Sequence, residues 1–90
     1  MLFRGQYFYT DDLDTTEAFA HVLLRFRQEK GLTHEVLAER AGLHPTTISL
    51  LERGKRQPSL GTIFMLAAGL AVEPERLVRE VRKLRPKLLT

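Results

Sequence analysis

Between Thr33 and Gly54 the chain reads "THEVLAERAGLHPTTISLLERG", and Gly42 stands at its middle. A residue with φ above zero closes a helix, and glycine reaches that conformation without strain, so Gly42 divides the stretch into two helices of about two turns each. Thr33 can cap the first, although Val36 stands where a glutamate would complete a capping box, and Leu37, Ala38 and Ala41 form its inner face. Pro45 suits the first turn of the second, where its missing N–H is not needed; Ile48 and Leu51 face inward, and Gly54 ends it. The predicted spans are about 34–41 and 45–53. Two short helices joined this tightly form a helix-turn-helix, in which the first braces the second against a core and leaves the second's outer face free.

The flanking sequence supplies that core. Asp14 and Glu17 in "DTTE" form a capping-box pattern, Phe19, Val22, Leu23 and Phe26 recur at helical spacing, and Gly31 is a stop, so a helix is predicted over about 15–30. Ser59 caps a fourth helix with Ile63, Leu66, Ala67 and Leu70 as core candidates. Pro74 opens a fifth, with Leu77, Val81 and Leu84 on one stripe and Pro86 as its stop. Before all of these, "LFRGQYFY" at 2–9 is aromatic-rich and reads as an extended arm or short strand. The predicted organisation is an arm over 1–13, one all-α five-helix domain over 14–85, and a tail over 86–90.

Charge is distributed unevenly. Residues 1–17 set Arg4 against Asp11, Asp12, Asp14 and Glu17, whereas residues 18–90 carry thirteen basic and seven acidic side chains, a body of +6. Such a body favours polyanionic partners. There is no cysteine, which excludes disulfides and thiolate zinc sites and suits a reducing compartment. The longest apolar-rich run, "LGTIFMLAAGLAV", is too short to span a bilayer, and the first residues lack the pattern of a signal peptide, so the cytoplasm is expected. His21, His34 and His44 are scattered, so no metal or other cofactor is expected; with no nucleophile motif, phosphate loop or paired carboxylates, neither is an enzyme.

From Phe19 to Leu77, and most plainly in "LTHEVLAERAGLHPTTISLLERGKRQPSLGTIFMLAAGLAVEPERL", the chain resembles the phage-repressor/Cro or XRE helix-turn-helix family. The resemblance implies a compact five-helix domain that binds operator DNA as a homodimer and regulates transcription. His44, Pro45, Thr46, Ser49 and Leu50 are then the expected base-contacting residues, on the face that would enter the major groove. Leu50 departs from the family, whose members often carry a polar residue there. Thr33, His34, Thr47, Arg53, Lys55, Arg56 and Gln57 are expected at phosphates, His34 standing where the family commonly has glutamine. Arg27 and Glu52 correspond to a pair that ties the first helix to the third. Leu77, Val78, Val81 and Leu84 are expected at a dimer interface. The competing reading is an antitoxin-like module on the same scaffold, which would use Leu50 and the fifth helix for a protein partner.

Overall fold

The computed structural model describes the backbone of residues 4–84 and the side chains of residues 15–84. Five helices follow in order: α1 (Arg4–Glu29), α2 (His34–Ala41), α3 (Pro45–Glu52), α4 (Leu60–Leu70) and α5 (Pro74–Leu84), with no strand among the described residues.

The first helix is longer than its sequence pattern predicts. The expected extended arm and the expected start at Asp14 both give way to a continuous helix from Arg4, so Asp14 lies inside α1 instead of capping it. Nucleation is the costly step in helix formation, and the packed segment from Ala18 to Phe26 has already met that cost. Extension towards the N-terminus then adds one hydrogen bond per residue ordered, and no proline interrupts it. Leu2, Phe3 and the 86–90 tail lie outside the described residues.

The remaining helix ends follow local chemistry. Gly31 (φ 70°) closes α1, with its N–H donating to the Gln28 carbonyl and that of Leu32 donating to Arg27. Thr33 Oγ1 accepts from Val36 N at 3.1 Å, and Ser59 Oγ accepts from Thr62 N at 3.0 Å, capping α2 and α4. At the hinge Gly42 takes φ 72°, and the Leu43 N–H reaches back to Ala38 O at 2.9 Å. Ala71 closes α4 at φ 59°, an L-residue in a conformation that favours glycine.

One core unites the helices. Phe19, Val22, Leu23 and Phe26 from α1 meet Leu37, Ala38 and Ala41 from α2, Ile48 and Leu51 from α3, Leu66, Ala67 and Leu70 from α4, and Leu77 and Val81 from α5. Ile63 packs against this core while remaining half-buried. The fifth helix therefore corrects the expected dimer stripe. Leu77 is fully buried and Val81 nearly so within the single chain, whereas Val78 and Leu84 are exposed. A small domain needs every large aliphatic it can cover, and α5 gives its innermost two to α1 and α4.

Candidate nucleic-acid interface

Ile48 and Leu51 have no exposed surface, so they fix the rotation of α3 about its own axis. With that rotation set, Thr46 is exposed, while Pro45, Thr47, Ser49 and Leu50 are half-buried at the rim. The outer face is thus small, polar at Thr46 and Ser49, and apolar at Leu50. Thr46 and Ser49 offer hydroxyls that pair with base edges, and Leu50 offers a surface of the kind that packs on a thymine methyl.

His44 caps α3. Its Nδ1 accepts from Thr46 N at 3.1 Å, so in this geometry the ring carries its proton on Nε2, leaving that atom as the donor. The cap serves two ends: it satisfies one of the first N–H groups of α3 and holds an exposed donor beside Thr46.

The turn after α3 carries Arg53, Lys55 and Arg56, all exposed, around Gly54 at φ 69°. None of the ion pairs or side-chain hydrogen bonds among the described residues uses these three cations. Three uncompensated positive charges within four residues produce a local field that attracts polyanions. Gln57, expected with them, is instead turned towards α1, its Nε2 donating to Thr16 Oγ1 at 3.3 Å. Thr33, which is exposed, accepts the Val36 N–H through its hydroxyl oxygen as the α2 cap and keeps its O–H as a donor.

Behind α3 lies a charged cluster that holds the motif together. Arg27 Nε donates to Glu52 Oε2 at 2.6 Å and its NH2 donates to Oε1 at 3.0 Å, a bidentate pair with side chains only 12% and 6% exposed. The third guanidinium nitrogen, NH1, donates to the Leu32 carbonyl at 2.8 Å and so ties down the α1–α2 turn. The hydrogen bond to Glu52 is the main cause of a guanidinium pKa raised above its ordinary value, against the opposing effect of burial. A further member was not anticipated: His34 Nε2 lies 2.9 Å from Glu52 Oε1. Nothing in the local sequence marks this contact, because eighteen residues separate the partners and only the hinge brings them together.

Sequence reasoning also missed an apolar groove between α4 and α5, lined by Leu60, Ile63, Phe64, Pro74 and Val78, with Glu75, Arg79 and Arg82 along its edge. Leu60, Phe64 and Val78 are at least half exposed. The available signal was the i, i+4 spacing of Leu60 and Phe64, left over once Ile63, Leu66, Ala67 and Leu70 had been taken for the core.

A helix-turn-helix family model matches residues 23–77. An uncharacterized HTH-type transcriptional regulator, y4dJ of Sinorhizobium fredii, is 44% identical over 54 residues, covering 60% of this chain and 70% of its own length. The control protein C.SmaI of Serratia marcescens is 36% identical over 69 residues, covering 76% of this chain and 82% of its own. Among solved structures, the restriction-modification controller protein C.AhdI of Aeromonas hydrophila superposes with a TM-score of 0.67 at 39% identity, covering 69% of this chain and 94% of its own.

Proposed function

The chain belongs to the helix-turn-helix family, and from that premise we propose that it is a sequence-specific, double-stranded-DNA-binding transcriptional regulator of the Cro/XRE type, with α3 entering the major groove. One observation carries the reading: Ile48 and Leu51 are wholly buried beneath α3, leaving its Thr46 and Ser49 side outermost beside three uncompensated cations. His44, Pro45, Thr46, Ser49 and Leu50 face the bases, and Arg53, Lys55 and Arg56 grip the backbone on either side of Gly54. Thr47, His34 and the N-terminus of α2 meet a neighbouring phosphate. Lacking an arginine, asparagine or glutamine on the inserted face, the protein draws part of its selectivity from DNA shape and half-site spacing.

The protein acts as a homodimer in this reading, through the α4–α5 groove and not the buried half of the α5 stripe. A twofold axis makes each patch meet its own copy, so the patch must complement itself, as apolar surface with both signs of charge at its edge can. The groove has these in Phe64, Leu60 and Val78, with Glu75 beside Arg79 and Arg82. The regulator names borne by the relatives support a regulatory role over a catalytic one. A regulator of this kind works where its DNA lies, in the cytoplasm; no helix among the described residues is long and apolar enough to cross a membrane.

A titration of mixed-sequence duplex at low and high salt tests the reading. Binding should weaken steeply as salt rises, and each of Arg53, Lys55 and Arg56 changed to alanine should flatten the log–log slope by about one unit. Binding that is absent or insensitive to salt would instead favour the protein-interaction module. Selection from a random DNA pool then gives the operator and its half-site spacing.

A further inference from the structure

We propose that His34 is a proton-dependent phosphate contact and that Glu52 is the residue that positions it, so that DNA binding is coupled to uptake of a proton. The proposal rests on the DNA-binding reading and adds a regulatory property to the same surface.

Glu52 accepts two hydrogen bonds from Arg27 and is almost wholly enclosed, so its oxygens act as acceptors. The imidazole nitrogen 2.9 Å from Oε1 must therefore donate, because two lone pairs at that distance repel. Glu52 thus fixes the hydrogen of His34 on Nε2. In the neutral ring the remaining nitrogen, Nδ1, is then only an acceptor, and it has no hydrogen-bond partner among the described residues. A phosphate oxygen is also an acceptor, so the neutral ring offers it nothing. Protonation leaves the Glu52 bond intact, puts a hydrogen on Nδ1 and adds a positive charge.

The surroundings suit an anion there. His34 is the first residue of α2, and its ring is 40% exposed. Thr33 caps only the Val36 N–H, so the His34 and Glu35 N–H groups remain at the helix end for an anion to meet. Glu52 from α3 is the carboxylate the ring meets; Arg27 from α1 shares that carboxylate, and Glu35 of α2 acts on the Arg27 guanidinium. A phosphate against Nδ1 favours the same protonated form.

The test compares wild type with His34→Gln, whose amide donates at every pH. Affinity for a fluorescent mixed-sequence duplex is measured at constant ionic strength from about pH 8 to about pH 5.5, where imidazoles titrate. Taking the ratio of the two proteins cancels the contributions of His21 and His44. The wild type should gain about three- to tenfold over the variant across that range, well inside the limit of about tenfold per pH unit that uptake of one proton sets. Nitrogen–proton correlations of the free protein at about pH 8 should show the His34 hydrogen on Nε2. A constant affinity ratio, or a hydrogen on Nδ1, overturns the proposal while leaving the DNA-binding reading standing. Duplex binding that is absent or insensitive to salt in both proteins overturns the two together.

Discussion

Gly69 of α4 and Ala41 of α2 meet with no room for a side chain between them: a Cβ placed on Gly69 would stand 3.0 Å from both the Cβ and the backbone nitrogen of Ala41. This contact holds α2, and through the Gly42 hinge α3, against the body of the domain.

Gly69→Ala should accordingly destabilise the protein even though it raises helix propensity. Alanine contributes about 1 kcal/mol over glycine inside a helix, whereas overpacking a tight contact costs about 1–3 kcal/mol. A net loss of about 1 kcal/mol is expected in denaturant unfolding. Ala41→Gly should not restore it, because the backbone of Ala41 forms the rest of the clash.

Arg27→Ala should strip Glu52 of its bidentate partner and release the Leu32 carbonyl. Removing one member of an enclosed pair typically costs about 3–5 kcal/mol, and the lower end is expected because His34 still donates to Glu52. Melting unchanged from wild type would rule out a structural role for the pair.

Ala71→Gly should raise stability slightly. The left-handed conformation at φ 59° costs an L-residue about 1–2 kcal/mol, and glycine's extra freedom in the unfolded chain returns about 0.4–1 kcal/mol of that. A rise in Tm of a few degrees, roughly what 0.5–1 kcal/mol yields in a domain of this size, is the expected outcome.

The clamp between α1 and α5 should make stability depend on acid. Hydrogen bonds from Arg25, then Lys83, lower the pKa of Glu80. A lowered carboxyl pKa gives stability that is fully present above the ordinary glutamate range and disappears as pH falls through the folded-state value. Glu80→Gln should therefore melt below wild type near neutral pH and approach it under acid conditions; a constant gap would show that the charge is not responsible.

Phe64→Glu should separate assembly from folding. Phe64 is 54% exposed, so the change should cost the isolated fold only about 0.5 kcal/mol or less, while sedimentation should shift to the monomer and duplex affinity should fall. Leu77→Ala, by contrast, should lose about 2–5 kcal/mol of stability because that side chain lies wholly within the core.

Local chemistry alone determined most of the secondary structure. Gly42, Pro45, Thr33 and Ser59 act within one turn of their own positions, so the bounds of α2 and α3 and the start of α4 were legible from neighbours a few residues away. The same holds for the inward faces of α1 and α3, since a period of 3.6 places Val22 with Phe26 and Ile48 with Leu51 whatever they later touch. Two kinds of information needed the folded chain. The start of α1 depends on a helix already nucleated elsewhere, so the aromatic run before it misled a reading by local propensity. Partner choice across long separations depends on how helices cross: tertiary packing decided that His34 meets Glu52, that Gln57 turns to Thr16, that Leu77 is core while Val78 is surface, and that Gly69 must have no side chain. Helix periodicity specifies a direction about an axis, and only the other helices determine what lies in that direction.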